Sequence, residues 1–319
     1  MEYAIQTDSL VKKYNRQITA LNEVSLKIEK GDVVGYVGPN GAGKTTTIKI
    51  LTNLIRPTSG HAYVNGIDVN RQPKEALRYI GALVEIPGIY SYLTPYELLS
   101  YFGKIHRMNG NVLNQQIDEV LELVELSDRA HEKIGTYSTG MQRRLVIAKA
   151  ILHKPEILML DEPFLGLDPT GIRDVRELIR QVHARGITVF LSSHLLREVA
   201  EICNNIILLD NGKVTASDSI EGIRNKAGGK TINVRFLQPP SQEAIKKIPA
   251  IESINSFEIL KDTMQIHFDG KPETSSHILS QLVSLDFQVV SFNMESMDIE
   301  DFYLSSISDK KKRVMRRRR

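Results

Sequence analysis

Val24, Leu26 and Ile28 alternate with polar neighbours, as a half-buried strand does, and residues 32–37 form a short apolar run of the kind found inside a sheet. A glycine-rich stretch follows. From Lys44 the period becomes helical, expected to reach Ile55 before Pro57 ends it, and Asn65-Gly66 between extended segments reads as a hairpin turn. Thr94-Pro95-Tyr96-Glu97 combines an N-cap, a first-turn proline and a glutamate three residues after the cap, so a helix starts there. Helical period over 95–108 and 112–126, with Leu113, Ile117, Val120, Leu121 and Val124 on one face, predicts an all-helical insert. Beyond it, β-rich runs at 156–161, 187–192 and 205–210 alternate with helical segments near 141–152, 170–184 and 195–203, which implies a parallel sheet covered on both faces. Gly228-Gly229 breaks this alternation. Strands at 231–236, 251–259, 263–268 and 288–293 with helices at 241–248 and 275–285 then give the order β-α-β-β-α-β, that of a ferredoxin-like domain.

Composition narrows the class. The 319 residues are 41% hydrophobic and 25% charged, ordinary for a globular chain and unlike a disordered or collagenous one. Cys203 is the single cysteine, so an intramolecular disulfide and a thiolate metal cluster are excluded and a metal would be held by oxygen. Its place beside Ile202 on an apolar helical face predicts a small core residue. No apolar run approaches the roughly 18 residues a membrane span requires, and no secretory leader is expected. The net charge of +3 hides an asymmetry, because the last ten residues carry eight of the 41 lysines and arginines, leaving 33 against 38 acids elsewhere.

The chemistry-bearing residues lie at the strand ends. Gly38-Pro39-Asn40-Gly41-Ala42-Gly43-Lys44-Thr45 matches the phosphate-loop pattern G-x-x-x-x-G-K-[ST], directly after a buried strand and directly before a helix. Its glycines let backbone N–H groups turn around a phosphate, Lys44 reaches the β/γ oxygens, Thr45 offers its hydroxyl to Mg²⁺, and Thr46 completes the expected nucleotide contacts. Ile157-Leu158-Met159-Leu160-Asp161-Glu162 delivers two acids to the carboxyl end of a buried strand. Asp161 is placed to hold Mg²⁺ and Glu162 to activate the water that attacks the γ-phosphate.

The order of the remaining motifs is more particular. Tyr137-Ser138-Thr139-Gly140-Met141-Gln142-Arg143-Arg144-Leu145 lies about twenty residues before Asp161, Gly166-Leu167-Asp168-Pro169 follows it, and Ser192-Ser193-His194 ends the next strand. Over nearly all of residues 1–217 the chain resembles the nucleotide-binding subunit of an ABC transporter. The resemblance implies an α/β fold: a P-loop NTPase core of the ABC type with an antiparallel β subdomain and a helical insert. It also implies a dimer in which Ser138 and Gly140 start a helix facing ATP on the other protomer. Tyr14 would stack on adenine, Asp168 would communicate across the dimer, and His194 would touch the γ-phosphate. The expected organisation is an ATP-binding domain over 1–227 with its helical insert at about 90–140, a small α+β domain over 230–305, and a basic tail over 306–319.

The chain departs from the family pattern in three places, at six residues. Tyr137, Thr139 and Met141 stand where leucine, glycine and glutamine are common, and Phe164-Leu165 follow Glu162-Pro163 where small or polar residues are common. Glu85 stands where a glutamine usually touches Mg²⁺ and the membrane partner; a carboxylate there should hold the ion more strongly. With Glu85 in its segment 80–90 and the acidic-aromatic run 296–304, the chain is similar to exporters that confer resistance to bacitracin and lantibiotic peptides. Those features imply ATP and Mg²⁺ as cofactors, a second copy or homologous subunit and a membrane-spanning permease as partners, and a peripheral place on the cytoplasmic face of the membrane. A soluble ABC ATPase serving assembly, nucleic acid or the ribosome is the alternative. A single cassette per chain counts against the ribosomal type, so a nucleic-acid partner is not expected. The tail reads either as a solvated end, as a patch for anionic lipid or as a nucleic-acid contact.

Overall fold

The computed structural model describes residues 3–15, 18–85, 90–222, 230–245, 247–248, 251 and 253–296. The Gly228-Gly229 break, residues 86–89 of the Glu85 segment, most of the acidic-aromatic run and the basic tail lie outside the described residues. The chain divides into two compact units, Met1–Ile220 and Glu221–Arg319.

In the first unit, strands β1 (Tyr3–Lys13), β2 (Thr19–Glu29), β4 (Ser59–Val64) and β5 (Ile67–Asp68) form an antiparallel sheet in the order β2-β1-β4-β5. Asn65 and Gly66 both have positive φ, 47° and 77°, and join β4 to β5 by the two-residue turn their sequence demands. The second sheet contains β3 (Val33–Val37), β6 (Ile80–Leu83), β7 (Ile157–Asp161), β8 (Thr188–Ser193), β9 (Asn205–Asp210) and β10 (Lys213–Ser219), ordered β10-β9-β3-β8-β7-β6. Five strands run parallel, and β10 is an antiparallel edge. β3, β7 and β8 are buried at every residue, as strands covered on both faces must be.

Helix α1 (Lys44–Leu51) follows β3 and packs on β7 and β8; α2 is the short turn Pro73–Ala76. The helical insert holds α3 (Pro95–Ile105), opened by the capping box of Thr94 and Glu97, and α4 (Gly110–Leu123), which buries Leu113, Ile117, Val120 and Leu121. Helices α5 (Thr139–Ile151), α6 (Pro169–Ala184) and α7 (Leu196–Ala200) alternate with the later strands. α1 stops four residues before Ile55. Asn53 takes φ 54°, its N–H bonds Ile50 O and that of Leu54 bonds Lys49 O at 2.8 Å, so a left-handed asparagine ends the helix ahead of Pro57. Cys203 is buried as expected, but in the turn after the shorter α7 and not on its face. Burial raises its thiol well above the ordinary range.

In the second unit, β11 (Lys230–Phe236), β12 (Ser256–Leu260), β13 (Thr263–Phe268) and β14 (Val289–Ser296) form an antiparallel sheet ordered β12-β13-β11-β14, accompanied by α8 (Gln242–Ile245) and α9 (Pro272–Ser284). Ile232, Val234, Met264, Ile266, Phe268, Ile278 and Leu282 make its own core.

Candidate nucleotide site

Parallel strands β3, β7 and β8 end side by side, so the loops after them meet. The turn from β3 into α1 depends on glycine at two places. Gly43, the N-cap of α1, has φ 111°, and a Cβ on Gly38 would stand 2.2 Å from Leu209 O. Gly38 is buried, Pro39, Asn40 and Gly41 are exposed, and Ala42 packs inward. Lys44, 5% exposed, donates from Nζ to Gly38 O at 2.7 Å and Pro39 O at 3.3 Å, and lies 3.1 Å from Glu162 Oε1. The ammonium is thereby held inside the loop whose N–H groups begin the helix.

Asp161 is the last residue of β7 and is 5% exposed. Its Oδ1 accepts from Thr45 Oγ1 at 3.1 Å and from Ser192 Oγ at 2.6 Å. Ser192 Oγ also accepts from the Glu162 N–H at 3.0 Å, which fixes the acid that follows. Glu162 has φ 47°, so the chain turns sharply after the strand and the carboxylate faces Lys44 on one side and His194 on the other, with His194 Nδ1–H donating to Oε2 at 2.8 Å. Five predicted residues, Lys44, Thr45, Asp161, Glu162 and His194, therefore form one cluster. Ser192 belongs to it and was legible only as part of the Ser192-Ser193-His194 run, since its role follows from β7–β8 register, in which Asp161 pairs with Ser192.

Tyr14 is 54% exposed, its ring covered on one side by Lys12 Nζ at 5.4 Å from the centroid, and its hydroxyl is 3.5 Å from Thr46 Oγ1, which places it at the edge of the phosphate loop. Glu85 follows β6 with φ 59° and pairs with Lys49 Nζ of α1. Ser138 is the N-cap of α5, its Oγ accepting from Met141 N at 3.2 Å, and Asp168 is the N-cap of α6, its Oδ1 accepting from Gly171 N at 2.9 Å. These two helix starts, with Gly140 and Gly166, line a separate open cleft. A Cβ added at Gly140 would meet only Ser138 Oγ at 3.9 Å.

The departures at Tyr137, Phe164 and Leu165 have structural partners. Tyr137 is buried and its hydroxyl donates to Arg129 O at 2.7 Å, tying the start of α5 to the helical insert. Phe164 is 2% exposed, and Leu165 presents its carbonyl to Arg143 Nη2 at 2.9 Å.

The donor set fits a magnesium ion. Thr45 and Asp161 supply hard oxygens, and among the described residues no cluster of three or more His, Cys, Asp or Glu side chains makes an all-protein metal cage. Mg²⁺ at a nucleotide takes only one or two protein ligands, the rest being phosphate and water. Among the described residues no helix is long and apolar enough to cross a membrane.

Residues 21–165 match the ABC transporter family. The bacitracin transport ATP-binding protein BcrA of Bacillus licheniformis is 35% identical over 317 residues, covering 96% of this chain and 98% of that protein. The linearmycin resistance ATP-binding protein LnrL of Bacillus subtilis is 30% identical, covering 94% and 97%. The solved dimeric post-hydrolysis state of the ATP-binding cassette MJ0796, bound to ADP and Pi, superposes with a TM-score of 0.61 at 27% identity, over 68% of this chain and 98% of that one. With the phosphate loop, the paired acids and the histidine gathered at the strand ends of a matching fold, the chain belongs to the ATP-binding proteins of ABC transporters, a family of ATPases.

Proposed function

We propose that the chain is the ATP-hydrolysing subunit of an exporter of antimicrobial peptides or drugs, working as a dimer beneath separate membrane-spanning subunits on the cytoplasmic face of the membrane. The cluster of Lys44, Asp161, Glu162, Ser192 and His194 carries the reading. The phosphate loop Gly38–Thr46 and Tyr14 bind ATP. Thr45, Asp161 and Glu85 hold Mg²⁺, which supplies charge neutralisation on the phosphates when bound. Glu162 takes a proton from the attacking water, and His194 orients that carboxylate through its 2.8 Å bond and then faces the γ-phosphate.

The second protomer supplies Ser138 and Gly140. Support for this half of the site is that, among the described residues, only Ser138 Oγ at 3.9 Å approaches the place of a Cβ on Gly140, while Ser138 aims the N-terminus of α5 outward beside it. Asp168 caps α6 on the same cleft and carries the state of one site to the other. BcrA and LnrL, named for bacitracin transport and linearmycin resistance, motivate the cargo class. The strand order of the second unit, with two helices between its strands, supports the ferredoxin-like reading of residues 230–305.

The test is Glu162→Gln. The variant should keep ATP affinity, lose at least about 100-fold in turnover, and run as a dimer by light scattering with ATP and Mg²⁺. Normal hydrolysis by the variant removes Glu162 from its role, and a persistent monomer removes the shared site.

A further inference from the structure

A single residue, His194, separates the end of β8 from Leu195, the N-cap of α7. The imidazole that bonds Glu162 at 2.8 Å is therefore placed by α7 as much as by the sheet. A helix of five residues, Leu196–Ala200, with no side-chain cap at Leu195, does not hold itself in place. Against the sheet, Leu196 and Val199 are buried, and Val199 lies so near β3 that a Cβ on Gly35 would stand 2.0 Å from its Cγ1. Towards α6, two arginines grip the other end. Arg176, whose side chain is 16% exposed, donates from Nη1 to Glu201 Oε2 and lies 3.4 Å from Glu198 Oε2, and Arg180 Nη2 donates to Glu201 O at 3.0 Å. α6 itself is seated by the buried Val175, Leu178, Ile179 and Val182, so a short element is tied to a firm one. Fold stability is a poor account of the tie. Arg176 Nε and Glu198 Oε2 are buried and, among the described residues, neither has a hydrogen-bond partner, which offsets part of the Coulomb gain.

We propose that Arg176 is a positioning residue for hydrolysis: by fixing α7 against α6 it sets where His194 stands relative to Glu162 and the γ-phosphate. The guanidinium makes no nucleotide contact in this role, and its effect reaches the chemistry through residues 194–201. Because α6 begins at its cap Asp168, the helix that lines the cleft beside Ser138 and Gly140 also fixes the histidine. A shift of about 1 Å in a positioned group costs on the order of 100-fold in rate, and partial release of an α7 still seated on Gly35 sets the expectation at roughly tenfold. The inference rests on the ATP-hydrolysis reading above and deepens it.

The experiment measures kcat for ATP hydrolysis and the Kd of a fluorescent ATP analogue with Mg²⁺ for the full chain and its variants, each with its melting curve. Arg176→Met should lower kcat roughly tenfold and leave Kd within about twofold, and Arg176→Lys, which keeps a cation opposite Glu198 and Glu201, should recover to within about threefold of the wild type. Glu201→Gln, at an exposed position, should lower kcat in the same direction, and adding it to Arg176→Met should lower kcat little further, because both remove one contact. Labelling histidine with ¹³C reads the geometry directly. The resonance assigned to His194 by its loss in His194→Gln should shift in Arg176→Met and Glu201→Gln and return in Arg176→Lys. If Arg176→Met melts early, Glu201→Gln and Arg176→Lys carry the test. A normal kcat in Arg176→Met or Glu201→Gln, or lost turnover with the His194 resonance unmoved, overturns the proposal while leaving ATP hydrolysis intact. A wild-type chain that turns over no ATP overturns the function and this inference together.

Discussion

Glu162 shows how much one side chain can be asked to do when its backbone is fixed. A left-handed φ turns it out of β7, Ser192 holds its N–H, and its two oxygens go to different cations or donors, Lys44 and His194. A second residue-scale feature lies where α3 meets the core. His153 stacks on His106 with centroids 4.0 Å apart and planes 8° from parallel, donates from Nε2 to Ile80 O, and keeps Nδ1 buried without a partner. Burial, then the charge of His106, lowers its pKa to about 4. The folded state thus disfavours the proton, and stability present above the ordinary histidine value near 6.5 is lost as pH falls toward 4. By pH 5 the loss should be about 2 kcal/mol. His153→Gln should flatten the dependence of denaturant midpoint on pH between 7.5 and 5, and an identical slope in both proteins would refute the assignment. Lys44, Thr45, Asp161 and Glu162 were legible in sequence because spacing along one chain defines them. Ser192 and Lys49 were not, because their partners are set by strand register and by a loop that returns to α1.

At the scale of elements, ends decide more than middles. Thr94 and Glu97 satisfy each other's backbone N–H groups at the start of α3, as the sequence pattern demands. Thr94→Ala should cost about 1 kcal/mol, read as a small drop in melting temperature with nucleotide affinity unchanged. A loss of affinity would mean the insert is coupled to the site through this cap. Helical period runs past the true end of α1 because Asn53 is a left-handed stop that forms a complete C-terminal motif. The same chemistry explains β10. Asn211-Gly212, with φ 48° and 73°, makes a hairpin like that of Asn65-Gly66 and adds an antiparallel edge strand to the parallel sheet. Short α7 shows the opposite limit, since apolar period over 195–203 cannot tell a one-turn helix from a longer one when Cys203 beyond it is also buried.

For the whole molecule, the alternation of strand and helix is legible in the first unit, Met1–Ile220, while the change of pattern expected near residue 228 falls inside the second, Glu221–Arg319, which has its own core. Charge is distributed just as unevenly, with an acidic body and eight cations in the last ten residues. Removal of residues 310–319 should reduce binding to phosphatidylserine vesicles at low salt, by up to about 1 kcal/mol per cation near the surface. Unchanged binding would discard the lipid reading of the tail. Ser192 Oγ grips Asp161 Oδ1 and the Glu162 amide at once. The acid proposed to anchor the ion and the acid proposed to deprotonate water are thus yoked to a single oxygen on β8, the strand that leads to His194. Any shear of that strand is felt by both in the same instant, so readiness of the metal and readiness of the base cannot fall out of step.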